Sequence, residues 1–361
     1  MTIDKSSSIV LEDLEAKNRT GPIHLRQMGE ATVTLPAPGA HALAKRDRRW
    51  GIVLAGGDGA RLRPLTQFIC GDSRPKQFCP LYGGRSLLER TLDRAELSIP
   101  DDHLLVSLTR DHRQWYAGEV GVRPSQRIVQ PSNRDTAPPI LHALWSIVAA
   151  DPRGLVAILP CDHHYSDEFS FTRSLDFSFE IAARRSDRVV LLGARADYPE
   201  VEYGWIETGS ALRLSTDLFQ VRAFREKPSI DVARKLLEQG ALWNTFVMVG
   251  QVQAFLDMIR ATAPVLMDAL YPARLWDGRE TNIAESIYNT LPAMSFSRRV
   301  LSGSAERLAV LRLNNVGWSD LGDPGRALMA VRESSLEPAW LGQWRTGKRA
   351  AAAAAGSAFV A

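Results

Sequence analysis

The sequence predicts a doubly wound α/β protein, with helices on both faces of a mixed, mostly parallel β-sheet. From about residue 50 to residue 200, short apolar runs typical of strands alternate with longer segments of helical periodicity. With 45% hydrophobic residues among 361, the chain is also long enough to bury a large core. Because alternating strands and helices form parallel sheets covered on both faces, we expect three layers, α/β/α.

The predicted elements follow one another in a regular order. The first strand, Gly51–Ala55, is a short apolar run that leads into a glycine-rich turn. Buried apolar runs predict further strands at His103–Leu108, Arg127–Val129, Leu155–Leu159 and Val189–Gly193. Apolar residues at helical spacing predict helices at Ser86–Leu97, Asp111–Glu119, from about Thr136, at Phe169–Arg184 and at Asp231–Gln239.

The composition divides the chain into three parts. Residues 1–49 lack a sustained period and contain SSS, GP and PAPG, so we expect a mobile N-terminal arm. Residues 50–345 form the folded domain, in which the part after about residue 200 is richer in strands. Residues 346–361 are rich in alanine and are expected to be a disordered tail.

Composition also excludes several classes of protein. Intrinsic disorder of the whole chain is incompatible with the apolar fraction. The longest nearly apolar run, Ile140–Ala150, contains His142 and Ser146 and is too short to span a bilayer, so we expect no membrane association. The net charge of +3, from 44 basic and 41 acidic residues, is too balanced to indicate nucleic-acid binding.

Two features bear on the cellular compartment. The N-terminus carries acidic residues at positions 4, 12, 13 and 15 and has no apolar signal core, so we expect no secretory leader. The three cysteines, Cys70, Cys79 and Cys161, show neither paired nor CxxC spacing. We therefore expect no disulfide framework, no zinc ribbon and a reducing, cytoplasmic setting.

The choice of basic residue is informative. Seven of the 44 basic residues are lysines, and between Trp50 and Arg345 the lysines are Lys76, Lys227 and Lys235. Lysine carries a compact, strongly hydrated point charge, unlike the planar guanidinium of arginine. In a chain that otherwise uses arginine, a retained lysine is a candidate functional residue. Two of these three lie in motifs described below.

A glycine-rich turn follows the first strand, in the segment LAGGDGARLRPLT from Leu54 to Thr66. Gly56, Gly57 and Gly59 allow the backbone to approach a phosphate closely and to direct amide groups at it. The segment lacks the Gly-Lys-Ser/Thr of a Walker loop and the third glycine of a dinucleotide fingerprint. Arg61 follows the turn at once, which suits a polyphosphate. An ordinary glycine turn is the structural alternative.

The segment RPKQF, from Arg74 to Phe78, carries the first of the two motif lysines. Pro75 fixes the local backbone, and Lys76 can project back over the glycine turn. The ordinary alternative is a solvated loop lysine, and its position after the glycine turn argues for a functional role. Because a loop lysine packs little, we expect Lys76→Ala to leave folding nearly unaffected.

Together these motifs resemble the sugar-1-phosphate nucleotidyltransferases, particularly the mannose-1-phosphate guanylyltransferases. Further similar motifs follow in the family's order. They are QPSNRDTAPPI at 130–140, LPCDHHYSD at 159–167, YGWIE at 203–207, FREKP at 224–228, WN at 243–244 and GWSDLG at 317–322. Motifs that keep this order across most of the chain make the resemblance specific.

The resemblance implies a Rossmann-like, three-layer α/β/α nucleotidyltransferase fold. It also implies transfer of a nucleotidyl group from GTP to a hexose 1-phosphate, such as mannose 1-phosphate, with release of pyrophosphate. Residues from about 50 to 200 would bind the nucleotide, and those from about 201 to 325 the sugar phosphate. A phosphate monoester has a second pKa of about 6, so the nucleophile needs no protein base. Catalysis would then come from alignment and charge neutralisation, a role that suits Mg²⁺.

The resemblance also assigns roles to individual residues. Arg61 and Lys76 would hold the triphosphate and stabilise the leaving pyrophosphate, and Asp162 and Asp320 would hold the metal. The nucleotide would be bound by Leu54, Gly56, Gly57, Gly59, Gln130, Asn133, Arg134, Asp135 and Thr136. The sugar phosphate would be bound by Gly204, Glu226, Lys227 and Asn244.

Alternatives remain for several of these positions. Asp135 is a candidate acceptor for guanine N–H groups, but for its side chain we favour the N-cap of the following helix. Cys161, His163 and His164 raise the alternative of zinc, although their spacing fits no usual zinc site. Relative to the family, the loop before Pro75 is long, and Thr245-Phe246 replaces a Ser-Gly pair. The latter difference bears on the identity of the sugar.

Two other functions also stay open. A catalytically weak nucleotide-sugar sensor would share this fold, although the intact candidate residues argue against it. A metal-dependent glycosyltransferase would carry a DxD motif after a strand, where this chain has Asp162-His163-His164. The expected partners are GTP and a sugar 1-phosphate, without nucleic acid or membrane. The sequence leaves open whether the protein is a homodimer.

Overall fold

The computed structural model describes residues 46–118, 121–272 and 282–346, without the side chains of 282–284. Of the predicted N-terminal arm, residues 46–49 are described, and of the predicted tail only residue 346. The rest of both segments lies outside the described residues, so the arm and the tail stay predictions.

A β-sheet forms the centre of the fold. The strands of the described residues are β1 Arg49–Leu54, β2 Leu104–Thr109, β3 Arg127–Gln130, β4 Leu155–Pro160, β5 His164–Tyr165, β6 Val189–Arg195, β7 Gly204–Ala211, β8 Leu218–Glu226, β9 Leu242–Gln251, β10 Leu308–Leu313 and β11 Trp318–Ser319. Within these residues, nine strands form one sheet in the order β3-β2-β1-β4-β9-β6-β10-β8-β7. The short strands β5 and β11 pair separately.

The sheet is mixed, with one direction dominant. Within the group β1 to β4, each pair of adjacent strands is parallel, and β6 is parallel to β10. β9 runs antiparallel between β4 and β6, and β8 runs antiparallel between β10 and β7. Most strands of the described sheet therefore share one direction, and the carboxyl ends of β1 and β4 meet at the same edge.

Helices cover both faces of the sheet. Within the described residues they include α1 Arg63–Cys70, α2 Leu87–Glu96, α3 Arg113–Tyr116, α4 Ala137–Ala150, α5 Glu168–Arg184, α6 Ile230–Glu238, α7 Val252–Thr262, α8 Pro264–Leu270, α9 Asn282–Thr290 and α10 Pro324–Glu333. Ile52 belongs to a core that includes α4, α7 and α8, whereas its neighbour Val53 belongs to the core on the other face with α2 and α5. Strands buried on both faces need continuous apolar runs, which explains the sequence pattern.

The predicted doubly wound, three-layer α/β/α architecture is confirmed. The predicted strands and long helices are found within one or two residues of their expected bounds. Ser86 begins α2 with a capping box, in which its side chain accepts from the Glu89 amide and the Glu89 carboxylate accepts from the Ser86 amide. The helix expected over Asp111–Glu119 is shorter, since α3 ends at Tyr116, and residue 119 lies outside the described residues.

The helices of the fold also bear on membrane insertion. Across the ranges 46–118, 121–272 and 282–346, no helix combines the length and the apolar character that crossing a bilayer requires.

Candidate active site

The glycine-rich turn after β1 is closely packed on one side. A Cβ atom added at Gly56 would lie 3.0 Å from both Gln130 Nε2 and Thr109 Oγ1. Gly59 has a φ of 59°, in the left-handed region that favours glycine, and a Cβ there would lie 3.1 Å from Lys76 Cγ. These two glycines therefore allow the turn to pack against Gln130 and Thr109 on one side and against Lys76 on the other.

Gln77 anchors the same turn. Its side-chain amide donates to the carbonyl oxygens of Ala55 and Gly57, at 2.8 Å each. Gln77 is buried in a short 3-10 turn, Lys76–Phe78. One side chain thus fixes the glycine turn relative to Lys76, a role that the sequence analysis did not assign to it.

Lys76 joins the two predicted metal ligands. Its Nζ lies 2.9 Å from Asp162 Oδ2 and donates to the backbone carbonyl oxygen of Asp320 at 3.1 Å. These two oxygens are therefore at most 6.0 Å apart, the sum of the two distances. The Lys76 side chain is 12% exposed. The alternative of a solvated loop lysine is wrong, because the ammonium is largely buried and paired.

The Asp320 carboxylate is held in a network of its own. Its Oδ1 accepts hydrogen bonds from the Tyr203 hydroxyl and from the Gly322 amide, both at 2.9 Å, and lies 3.4 Å from Arg326 Nη1. The pairing of β11 with β5 brings this segment beside the residues that follow β4. Residues distant in sequence thereby meet at the carboxyl edge of the sheet.

The chemistry of these two aspartates fits a hard divalent cation. Burial would raise the pKa of Asp162, but the Lys76 ammonium, the neighbouring His163 and hydrogen bonds to Lys76 and to the backbone together lower it, so the carboxylate is ionised at neutral pH. Asp162 and Asp320 together suit Mg²⁺, which commonly binds one or two carboxylates and completes its shell with phosphate oxygens and water. In the described part of the chain, no group of three or more His, Cys, Asp or Glu side chains is arranged to hold a metal.

The residues that raised the alternative of zinc form no metal-binding cluster within the described residues. Cys161 is buried beneath the site, and His164 is buried and stacked on Tyr82. His163 accepts a hydrogen bond at Nδ1 from Trp318 Nε1, at 3.1 Å. Burial lowers the pKa of His163 to about 4, so the ring is neutral at physiological pH. With Nδ1 accepting, its proton must reside on Nε2, which makes His163 a donor at the site.

A cavity of about 690 Å³, here called the large pocket, opens beside the glycine turn. Seven of the nine predicted nucleotide-binding residues line it: Leu54, Gly56, Gly57, Gln130, Asn133, Asp135 and Thr136. Asp162 and His163 line it as well. Within the described residues, the buried Oε1 of Gln130 has no hydrogen-bond partner. An unpaired buried acceptor in a pocket wall is a candidate for contact with a ligand donor.

The two remaining predicted nucleotide-binding residues, Gly59 and Arg134, are not among the residues that line the large pocket. Gly59 packs on Lys76, as described above. Arg134 Nε donates instead to the carbonyl oxygen of Tyr288 in α9, at 2.7 Å. Its side chain therefore ties the segment 130–140 to a neighbouring helix.

Asp135 adopts a conformation that the sequence did not predict. Its φ is 64°, and its Oδ1 accepts from the Thr136 amide at 2.7 Å. The N-cap position of α4 is Thr136 rather than Asp135. The expectation that the Asp135 side chain caps this helix is therefore wrong, and the residue lines the large pocket from a tight turn.

A second cavity, the small pocket, encloses about 320 Å³. Asp320 lines it, and so do all four residues that are predicted to bind the sugar phosphate: Gly204, Glu226, Lys227 and Asn244. It also shares four lining residues with the large pocket: Asp135, Thr136, His163 and Phe246. The two cavities therefore adjoin, and His163 lies where they meet.

The floor of the small pocket is tightly built. A Cβ atom at Gly204 would lie 2.8 Å from Phe224 Cζ and 3.0 Å from Glu226 Oε2, so glycine is needed there. Asn244 Oδ1 accepts from the Phe246 amide at 3.1 Å, which leaves its NH₂ group as the end that can donate to a ligand. Burial raises the pKa of Glu226, although the Lys227 ammonium opposes the shift.

Cations at the rim share one acidic partner. Arg61 Nη1 lies 3.1 Å from Glu202 Oε2, and Lys227 Nζ lies 3.6 Å from the same oxygen. Both side chains are about half exposed. The structure thus pairs Arg61 with Glu202, a residue that lines the small pocket. Glu202 and Arg298, which also line that pocket, were not identified from the sequence.

Three residues that line the pockets have left-handed backbone. They are Asp135, Lys227 and Phe246, with φ of 64°, 47° and 59°. Non-glycine residues seldom adopt this conformation, and when they do they cluster at functional sites. A positive φ is invisible in a single sequence when the residue is not glycine, so these turns gave no sequence signal.

Comparison with known proteins supports the resemblance. The xanthan biosynthesis protein XanB of Xanthomonas campestris pv. campestris (strain ATCC 33913) is 30% identical over 280 residues, 75% of this chain and 57% of that protein. The mannose-1-phosphate guanylyltransferase of Escherichia coli (strain K12) is 27% identical over 288 residues, 77% of this chain and 58% of that protein. The chain thus spans little more than half the length of these curated relatives.

A solved structure and a family model complete the comparison. The crystal structure described as mannose-1-phosphate geranyltransferase from Thermus thermophilus has a TM-score of 0.65 and 30% sequence identity, and the match covers 76% of each chain. The model of the family described as nucleotidyl transferase matches residues 50–335. These residues include both pockets and every predicted site residue. The chain therefore belongs to the nucleotidyl transferase family.

Proposed function

We propose that the protein transfers a guanylyl group from GTP to a hexose 1-phosphate, with mannose 1-phosphate as the preferred acceptor, giving a GDP-sugar and pyrophosphate. The observation that carries this proposal is the pair of adjoining pockets, which share Asp135, Thr136, His163 and Phe246. A nucleotide in the large pocket and a sugar phosphate in the small pocket would meet beside His163. Holding both substrates in line supplies much of the catalysis that this reaction needs.

Charge neutralisation is the second requirement, because two polyanions must approach. We assign Lys76 to the triphosphate, because it lies beneath the glycine turn and is positioned by Asp162. The Arg61 side chain is about half exposed, and exposed ion pairs such as the one with Glu202 are weak. A substrate phosphate can therefore replace Glu202 as its partner. Both cations would stabilise the charge that develops on the leaving pyrophosphate.

Nucleotidyl transferases of this family generally use a divalent metal ion. Here we assign Mg²⁺ to Asp162 and Asp320, where it would neutralise phosphate charge and orient the α-phosphate. Asp58, Asp135 and Asp162 all line the large pocket, so an incoming triphosphate would meet negative charge without such a cation.

The choice of GTP depends on acceptors in the large pocket. Guanine presents an N–H and an exocyclic amine side by side, and both need acceptors. Gln130 Oε1 and the Asp135 carboxylate are acceptors in the pocket wall. A site whose acceptors match the N–H and the amine of guanine rejects bases that lack these donors, because its acceptors would be left unpaired.

The assignment of the acceptor depends on the small pocket. Lys227 would hold the phosphate, and Glu226 and the Asn244 amide would bind ring hydroxyls above Gly204. The pocket volume of about 320 Å³ suits a single hexose ring. Mannose 1-phosphate is favoured by the names of two matched proteins. Under this proposal, residues 50–200 bind the nucleotide and residues 201–325 bind the acceptor.

A matrix assay tests the proposal directly. Pyrophosphate release is measured for GTP, ATP, CTP, UTP and dTTP, each against mannose 1-phosphate, glucose 1-phosphate and galactose 1-phosphate with Mg²⁺. We expect the highest kcat/KM for GTP with mannose 1-phosphate. Equal or better turnover with UTP or dTTP would overturn the assignment of the base. A lack of turnover with every pair would contradict the proposed activity.

A further inference from the structure

Two cysteines meet beside the catalytic lysine. Cys70 is the last residue of α1, and Gly71, with a φ of 74°, turns the chain back on itself. Cys79 directly follows the 3-10 turn that carries Lys76. The two sulfur atoms lie 3.5 Å apart, and both cysteines are free thiols. The sequence spacing did not indicate this contact, which arises because α1 ends at Cys70 and the chain turns back at Gly71 towards Pro75.

We propose that Cys70 and Cys79 form a reversible intrachain disulfide that lowers the activity by displacing Lys76. A disulfide bond is about 2.05 Å long, so closure requires the two sulfur atoms to approach by roughly 1.5 Å. A short loop can make a movement of this size. The same movement is large enough to displace the side chains that the adjoining turn carries, including Lys76. The effect on activity rests on the proposed function, whereas the formation of the disulfide does not.

The two thiols differ in exposure and in pKa, as is typical of a pair in which one cysteine reacts with the oxidant and the other completes the disulfide. Cys70 is partly exposed, whereas Cys79 is 1% exposed. The hydrogen bond with Cys79 and the nearby Arg74 guanidinium lower the pKa of Cys70, against the opposing effect of burial. The hydrogen bond with Cys70 and burial raise the pKa of Cys79. Cys70 is therefore the attacking sulfur and Cys79 the resolving one.

The oxidant is hydrogen peroxide, and the reaction balances in two steps. The Cys70 thiolate attacks one peroxide oxygen, the O–O bond breaks, and Cys70 becomes a sulfenic acid while hydroxide leaves and is protonated to water. Cys79 then loses its proton and attacks the Cys70 sulfur. The S–S bond forms, the S–O bond breaks, and a second water leaves. Two thiols are oxidised, one peroxide is reduced to two waters, and a dithiol reductant reverses the change.

The disulfide would act on the catalytic machinery through the turn between the two sites. The Cys79 amide donates to the Lys76 carbonyl oxygen at 3.0 Å, so movement of Cys79 is transmitted to that residue. Gln77, in the same turn, holds the glycine loop. Because a misplacement of about 1 Å can cost up to about 100-fold in rate, we expect turnover to fall by about tenfold on oxidation.

The experiment treats the full chain with hydrogen peroxide and alkylates the denatured protein to count free thiols. We expect the count to fall from three to one per chain, with a non-reduced peptide that links Cys70 to Cys79. Turnover should fall in parallel and return with dithiothreitol. These chemical readouts need no catalysis, so they stay informative even if the proposed function fails.

Cys70→Ser and Cys70→Ala are the matched variants, because Cys70 lies at the end of a helix and lines neither pocket. Both should keep the basal turnover and lose the reversible, peroxide-dependent inhibition. The proposal is overturned if all three thiols persist after peroxide, or if the linked peptide contains Cys161. It is equally overturned if the disulfide forms while turnover stays unchanged.

Discussion

The two pockets are built in different ways. Beside the large pocket, the functional groups are buried and tied to backbone, as with Lys76, at 12% exposure, and Gln77 beneath the glycine turn. Beside the small pocket, Lys227 is 44% exposed and lies 3.6 Å from its acidic partner, Glu202. The small pocket also lies by antiparallel strands, whereas the glycine turn follows a parallel one.

This difference separates two ways of positioning charge. A buried, paired cation is already oriented before substrate binds, but its removal leaves its partner uncompensated. An exposed cation costs little to the fold and is free to exchange its protein partner for a substrate phosphate. We therefore expect substitutions beside the large pocket to affect folding and turnover together, and substitutions beside the small pocket to affect mainly the use of the acceptor.

The largest effect is expected for Lys76→Ala. Losing one preorganised electrostatic donor should lower turnover by about 10²–10³. Because Asp162 and the Asp320 carbonyl lose a buried partner, the free energy of unfolding should also fall by about 1–3 kcal/mol, which replaces the expectation from the sequence that folding is nearly unaffected. Steady-state kinetics and urea denaturation measure the two effects. Lys235→Ala, at an exposed lysine of α6, is the control and should change neither.

An unchanged stability of Lys76→Ala would break the comparison between the pockets, since it would show that burial of Lys76 contributes nothing to the fold. Wild-type turnover of the same variant would contradict its proposed role in holding the triphosphate.

The next effect is expected for Lys227→Ala. A charge-assisted hydrogen bond to substrate is worth about 1.5–3 kcal/mol, so kcat/KM for the sugar phosphate should fall by about 10- to 100-fold. The affinity for GTP should stay close to wild type. Since the pair with Glu202 is exposed, stability should change by less than about 1 kcal/mol. Weaker GTP binding with normal use of the acceptor would assign Lys227 to the other pocket.

A smaller effect is expected for Gly204→Ala, which tests the comparison of the two pockets by changing packing without changing any charge. The new methyl group would contact Phe224 and Glu226 at 3.0 Å or less, and overpacking of this kind costs about 1–3 kcal/mol. We expect kcat/KM for the acceptor to fall by about tenfold, with GTP binding retained. Gly209→Ala, on the same strand, meets nothing closer than 3.4 Å and is the matched control. Equal effects of both variants would contradict the argument from packing.

The smallest effect concerns His163, at the junction of the pockets. If its Nε2–H donates to a phosphate oxygen, His163→Leu should lower turnover about fivefold, the equivalent of about 1 kcal/mol for a neutral hydrogen bond. His163→Gln keeps a donor near the same place and should restore most of the rate. Equal turnover of the Leu and Gln variants would show that His163 acts through packing alone.

Much of the large pocket could be predicted from the sequence. Gly56 and Asp162 each lie in a short motif just after the end of a strand, where local sequence determines local geometry. The carboxyl ends of parallel strands meet at one edge, so these motifs had to converge. The burial of Lys76 was not predicted, because it depends on a carbonyl 244 residues away.

Other features could not be predicted, because they depend on contacts between segments distant in sequence. The ion pair of Arg61 with Glu202 spans 141 positions, and the hydrogen bond of Arg134 to Tyr288 spans 154. Helix α1 was missed because its eight residues are too few for a clear period. The approach of Cys70 to Cys79 depends on the course of a loop, which residue spacing does not reveal.

The left-handed conformations of Asp135, Lys227 and Phe246 have a consequence for protein engineering. Glycine would adopt each of them without the steric cost that a side chain carries, which is about 1 kcal/mol or more per residue. At Lys227, whose side chain is 44% exposed and packs little, a library selected only for heat resistance should therefore enrich glycine. That gain would remove a side chain from the wall of the small pocket, so thermostable variants of this protein have to be chosen by turnover as well as by melting temperature.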